Sequence, residues 1–129
     1  MARILIAEDD FHFRSLIGAI LQKEGHETYP VENGRQALEV LRCFPIDLIV
    51  SDILMPDIGG LKLLEQSKKC YPAVPVVMMS VYTRSDLVLD ALRKGAACYL
   101  LKPFTYEQLI TVVEDLVTSN QRVPETAPV

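Results

Sequence analysis

Asp47-Leu48-Ile49-Val50-Ser51-Asp52-Ile53-Leu54-Met55-Pro56 lies near the middle of the chain. Leu48, Ile49 and Val50 form a continuous apolar run, the pattern of a strand buried on both faces rather than one. Asp52 falls where that strand should stop. In an open parallel α/β sheet, ligands bind outside the carboxyl ends of the strands. A carboxylate there is placed for chemistry, although Asp before a Pro-containing loop also commonly starts a turn. The choice between the two depends on what the other strands bring to the same edge.

Outward from this run, short apolar segments alternate with amphipathic ones. Arg3-Ile4-Leu5-Ile6-Ala7 reads as a buried strand ended by Glu8-Asp9-Asp10. A helix follows, with Phe13, Leu16, Ile17, Ile20 and Leu21 at helical spacing, Asp10 as its cap and Gly25 as its stop. His26 to Val31 is a weaker strand, and Glu32-Asn33-Gly34 turns the chain into a helix carrying Ala37, Leu38 and Leu41. That helix ends before Pro45, and Ile46 to Ser51 is the central strand. Gly59-Gly60 precedes a third helix with Leu61, Leu63 and Leu64 inward. Val76 to Met79 is a fourth strand, ending at Ser80. A fourth helix starts near Arg84 or Ser85 and stops at Gly95, with Leu87, Ala91 and Leu92 inside. Ala97 to Leu101 is a fifth strand, closed by Lys102-Pro103. Thr105 and Gln108 fit a reciprocal capping box for a last helix bearing Leu109, Val112, Val113 and Leu116. From Ser119 the periodicity ends, so residues 119–129 are expected to be a disordered tail or part of a linker.

Five strand–helix units with short connections imply right-handed crossovers and a parallel sheet covered on both faces. The expected architecture is a doubly wound, five-stranded α/β/α domain over residues 1–118. The 129 residues suffice for one such core. Half the residues are hydrophobic and 23% charged, ordinary for a globular domain. A formal net charge of −4 with no Lys/Arg run argues against a nucleic-acid surface. No apolar stretch is long enough to span a bilayer, and Met1-Ala2-Arg3 runs straight into a strand without a signal sequence. The cytoplasm is therefore the expected compartment. Cys43, Cys70 and Cys98 are scattered and odd in number, so free thiols are expected.

At the strand ends the sequence places Glu8 and Asp9 after strand one, Asp52 after strand three, Ser80 after strand four and Lys102 after strand five. Strand two, which offers no matching residue, lies away from the site in the order 2-1-3-4-5. Three carboxylates in one pocket repel one another unless a cation intervenes. With only oxygen donors present, Mg²⁺ suits the set better than Zn²⁺. His12 and His26 fall outside the cluster and are expected on the surface or rim. Lys102 supplies a fixed positive charge and Ser80 a hydroxyl. A nucleophilic carboxylate, a cation site, an ammonium and a hydroxyl suit phosphoryl transfer, with Asp52 becoming an acyl phosphate.

Ile6-Ala7-Glu8-Asp9, Asp52-Ile53-Leu54-Met55-Pro56, Met78-Met79-Ser80 and Tyr99-Leu100-Leu101-Lys102-Pro103-Phe104, in that order and each at a strand end, resemble the receiver domain of bacterial two-component response regulators. The resemblance covers residues 3 to 118. It implies a flavodoxin-like fold and carries roles onto matching positions. Asp52 matches the phosphoacceptor. Glu8 and Asp9 match the acidic pair that binds Mg²⁺ together with Asp52 and the backbone carbonyl of Leu54. Lys102 matches the lysine of the site, usually followed by a cis proline. Ser80 and Tyr99 match the pair whose movements transmit the switch to the face of helix 4, strand 5 and helix 5.

The implied partners are a histidine kinase or phosphotransfer protein, a C-terminal output domain in the full-length protein, and a second copy docked through that face. The implied activity is a phosphorylated switch rather than an enzyme. Val81 replaces a residue that is usually small. Leu54 and Tyr82, flanking the site, cannot activate water, so slow self-dephosphorylation is expected. The competing readings are a pseudo-receiver used as a constitutive interaction module, a flavodoxin-like nucleotide binder and a haloacid-dehalogenase-type phosphatase. The nucleotide binder lacks its phosphate loop, since Glu8-Asp9-Asp10 stands there. The phosphatase lacks its second Asp, since Leu54 stands there.

Overall fold

The structure, a computed structural model, describes residues 1–81 and 85–126, with side chains over 1–81 and 86–118. Its elements run β1 (Arg3–Ala7), α1 (Phe11–Lys23), β2 (Glu27–Val31), α2 (Gly34–Cys43), β3 (Leu48–Asp52), α3 (Gly60–Cys70), β4 (Val76–Ser80), α4 (Ser85–Arg93), β5 (Cys98–Leu101) and α5 (Tyr106–Thr126). The five strands form one parallel sheet in the order β2-β1-β3-β4-β5. This is the doubly wound, flavodoxin-like topology, and the order reverses direction between β1 and β3.

Strand periodicity divides the core. Leu5, Ala7, Ile49, Val76 and Met78 point to one face of the sheet, where Ala37 and Leu41 of α2, Leu63 and Leu64 of α3, and Ala91 of α4 cover them. Ile4, Ile6, Leu48, Val50, Val77 and Met79 point to the other, under Ile17 and Leu21 of α1 and Leu109, Val113 and Val117 of α5. Successive strand residues alternate faces, so a strand buried on both sides must be apolar throughout. Each fully buried Leu or Ile in these layers contributes on the order of 2 kcal/mol by its removal from water.

The helix ends are set by local chemistry. Asp10 Oδ2 accepts from Phe13 N at 2.8 Å and caps α1. Asn33 Oδ1 does the same for Gln36 N of α2 at 2.8 Å. At α5 the capping box is complete: Gln108 N donates to Thr105 Oγ1 at 3.0 Å, and Thr105 N donates to Gln108 Oε1 at 2.8 Å. Gly59 at the head of α3 has no side chain to cap with. Gly25 and Gly95 close α1 and α4 at φ +93° and +107°, a conformation that side chains resist.

Several expectations are corrected. Leu16 and Leu92 are exposed rather than inward. At 3.6 residues per turn each lies about 100° from the buried neighbour beside it, Ile17 and Ala91, and so falls off the edge of the stripe. His26 is buried, not a surface residue. Its Nδ1 accepts from Ala2 N at 3.1 Å and its Nε2 meets Glu114 Oε2 at 2.9 Å, so it ties the residue leading into β1 to α5. The chain after residue 118 is not irregular throughout, because α5 continues to Thr126. Val117 is the last buried residue among the described side chains, and extending a nucleated helix costs far less than starting one. The expected start of α4 at Arg84, and Tyr82, lie outside the described residues. Cys43, Cys70 and Cys98 are free thiols. Among the described residues, no helix is long and apolar enough to cross a membrane.

Candidate functional site

The carboxyl ends of β1, β3 and β5 meet at one edge of the sheet. Glu8 continues β1 by one residue, held by its amide donating to Val31 O of β2 at 3.1 Å. Its backbone carbonyl accepts from Arg14 Nη1 of α1 at 2.7 Å, and its Oε2 accepts from Asp10 N at 3.1 Å. Asp52 closes β3. Its Oδ1 accepts from Ile53 N at 2.8 Å, and that amide also reaches Met79 O of β4 at 3.1 Å. The Asp52 carboxylate is thus clamped to the sheet through the next peptide.

The loop after Asp52 is fixed by close backbone approach. Gly60 N donates to Ile53 O at 2.7 Å. A Cβ on Gly60 would stand 2.0 Å from Asp52 O, so the first turn of α3 packs here only because residue 60 has no side chain. Lys102 enters from β5. Its amide donates to Ser80 O at 2.8 Å, and the Lys102–Pro103 peptide is cis. Its ammonium donates to Glu8 Oε1 at 2.6 Å and to Asp52 Oδ2 at 3.0 Å.

Carboxylate oxygens of Glu8, Asp9 and Asp52 lie within 4.8 Å of one another. Asp9 is exposed, Asp52 partly buried and Glu8 almost fully enclosed. Three carboxylates facing one ammonium leave an excess of negative charge. Burial pushes the Glu8 carboxyl up to about 7, against the downward pull of the Lys102 hydrogen bond and the Asp10 amide, and with a smaller upward push from Asp52. Burial alone would lower Lys102, but its bonds to Glu8 and Asp52 outweigh it and hold the ammonium above its usual value.

The expected residues are placed as follows. Glu8, Asp9, Asp52 and Lys102 converge. Ser80 is buried at the end of β4, one residue beyond Met79, which pairs with Asp52. Tyr99 is half-buried on β5 opposite Met78 and packs against the α2–α3–α4 side of the core. The Leu54 and Val81 side chains are exposed. Sequence reasoning missed Arg14 and the close approach at Gly60. It read Phe13 only as core, whereas its ring lies beneath the Lys102 ammonium, 4.4 Å from centroid to Nζ. Helical spacing reports that a residue faces inward but not which group it meets there.

Comparison with known proteins agrees with this arrangement. The sequence matches the response regulator receiver domain family over residues 4–114. It is 38% identical over 112 residues to the response regulator protein FleR of Pseudomonas aeruginosa, an alignment covering 87% of this chain and 24% of FleR. It is 30% identical over 125 residues to the transcriptional regulatory protein ZraR of Escherichia coli, covering 97% and 28%. The chain therefore spans about a quarter of the length of these relatives. Among solved structures, NtrX from Brucella abortus superposes with a TM-score of 0.91 at 33% identity, over 98% of this chain and 29% of NtrX. A response regulator receiver domain protein from Clostridium thermocellum gives 0.88 at 25% identity, over 94% of this chain and 98% of its own. Sequence and fold agree over nearly the whole chain, and it belongs to the response regulator receiver domain family of two-component signal transduction, whose general function is phosphoryl transfer.

Proposed function

We propose that Asp52 is the phosphoacceptor of this chain and that its donor is a phosphohistidine on a histidine kinase or phosphotransfer protein. The observation that carries the reading is the Lys102 ammonium bridging Glu8 and Asp52, beside carboxylate oxygens gathered within 4.8 Å. The Ile53 amide holds Oδ1 of Asp52, which leaves Oδ2, on the Lys102 side, as the attacking oxygen. Attack forms the P–O bond and breaks the donor's P–N bond; the departing imidazole takes the bond's electron pair and a proton. Lys102 faces the oxygens on which charge accumulates in that transfer.

The donor set fits Mg²⁺: hard oxygens, excess negative charge and no sulfur or imidazole among them. Glu8, Asp9, Asp52 and the Leu54 carbonyl would hold it, and it would supply neutralisation of the phosphoryl oxygens. Ser80 and Tyr99 serve as the switch. The Ser80 hydroxyl follows the new charge, and Tyr99 turns into the space it leaves. The readout is then the face of α4, β5 and α5, where Leu89, Leu92, Leu101 and Tyr106 are exposed. A second copy or a C-terminal output domain of the full-length protein is its occupant. The site acts as a slowly reset switch in the cytoplasm rather than as a turnover enzyme, because neither Leu54 nor Tyr82 can activate water.

The test is intact mass after incubation with acetyl phosphate, with and without Mg²⁺. Gain of one phosphoryl group only with Mg²⁺ supports the reading. No gain with acetyl phosphate or with phosphorylated kinases contradicts it.

A further inference from the structure

We propose that Phe13 is a positioning residue of this site, its ring face holding the Lys102 ammonium against Asp52 when a metal ion takes Glu8. The inference rests on Asp52 being the acceptor. A lysine ammonium has three N–H donors. Two of them go to Glu8 and Asp52, at 2.6 and 3.0 Å. The Phe13 ring takes another side of the ammonium, with its centroid 4.4 Å from Nζ. That is well inside the roughly 6 Å over which an aromatic face attracts a cation. The Lys102 side chain is only 15% exposed, so water competes weakly for that face.

The ring is itself held on two sides. Phe13 N is the donor of the Asp10 cap, which fixes the first turn of α1 next to the acidic pair. Phe104, two residues beyond Lys102, packs edge-on against Phe13, with centroids 5.5 Å apart and ring planes 67° apart. The aromatic pair therefore joins α1 to the chain leaving β5, and the ammonium lies against its inner ring.

Among the described residues, the three groups that meet the Lys102 ammonium differ in what a divalent cation does to them. Glu8 is both its shorter ion-pair partner and a candidate metal ligand, so metal binding weakens that contact. Asp52 is the reacting group. The Phe13 face is uncharged and has no affinity for a hard cation, so it persists through metal binding and phosphoryl transfer. A leucine at this position would fill most of the same space without attracting the ammonium.

The experiment compares Phe13→Leu and Phe13→Tyr with the unaltered chain. It measures the rate of phosphoryl uptake from acetyl phosphate at saturating Mg²⁺, the Mg²⁺ affinity, and the NMR shift of the Lys102 Cε protons, which a ring face moves upfield. Phe13→Leu should slow uptake by about fivefold, the worth of a partly desolvated cation–π contact. It should also return the Cε protons to ordinary shifts and leave Mg²⁺ affinity within about twofold on the same grounds. Phe13→Tyr should keep both the rate and the upfield shift. Equal slowing by Leu and Tyr, no slowing by Leu, or ordinary Cε shifts in the unaltered chain would each overturn the role of Phe13. An unaltered chain that takes no phosphoryl group on Asp52 would overturn the acceptor reading and this role with it. A chain labelled normally, with variants no different, would overturn only this role.

Discussion

Replacing Glu8 by Gln should stabilise the metal-free protein at pH 8 while weakening its response to Mg²⁺. Glu8 is 1% exposed, and burial raises its carboxyl from 4.5 to about 7. A carboxyl with a raised folded-state pKa binds its proton more tightly folded than unfolded. Its charged form therefore opposes folding: stability falls as pH rises from about 4.5 to about 7 and stays lost above. A displacement of that size corresponds to about 3 kcal/mol at 1.36 kcal/mol per pKa unit. The amide is also a weaker acceptor for the Lys102 ammonium than the carboxylate, so about 2 kcal/mol is the working expectation for Glu8→Gln at pH 8. For a domain of this length, that is a rise of about 6–10 °C in melting temperature. The gain should shrink as pH falls and approach zero only below about pH 4.5, where the Glu8 carboxyl becomes protonated in both states. Added Mg²⁺ should reverse the order, because binding to the folded state alone stabilises it and the variant offers one carboxylate fewer. The assay is urea denaturation from pH 4.5 to 8.5, in EDTA and in Mg²⁺. A variant no more stable than the parent at pH 8 in EDTA would refute the reasoning, as would a gain that does not depend on pH.

Gly60→Ala should cost at least about 2 kcal/mol of stability and impair phosphorylation, because its Cβ would meet Asp52 O at 2.0 Å and the backbone must move; denaturation and labelling rate measure both. Thr105→Ala should cost about 1 kcal/mol by removing the acceptor for Gln108 N, with site chemistry unchanged, as checked by the same two assays. The phosphorylated chain should persist for minutes or longer once donor is removed, since neither Leu54 nor Tyr82 offers a carboxylate or amide to activate water; loss of the label within seconds, followed by intact mass, would contradict this.

The fold was legible because the buried strands leave little choice. Runs such as Ile4-Leu5-Ile6 and Val76-Val77-Met78-Met79 suit two covered faces, and the Gly and Asp stops between them mark the crossovers. The converging residues could be named because strand ends share an edge. What sequence could not supply were contacts made sideways across elements. The Arg14 bond to the Glu8 carbonyl, the Phe13 ring on Lys102 and the His26 link between Ala2 and Glu114 depend on rotamer and helix rotation. His26 was misjudged because a polar side chain is usually exposed unless partnered, and its partners lie 24 and 88 residues away. The length of α5 was misjudged because the apolar spacing stops before Ser119, whereas extending a helix already begun costs little.

The most direct measurement is borohydride trapping. Reduction of an acyl phosphate converts the aspartate to homoserine, which peptide mass spectrometry locates. After treatment with acetyl phosphate and Mg²⁺, homoserine should be found at position 52 alone, and nowhere in Asp52→Asn. Homoserine at Asp9 or another carboxylate, or none in a chain that has gained a phosphoryl group, would contradict Asp52 as the acceptor.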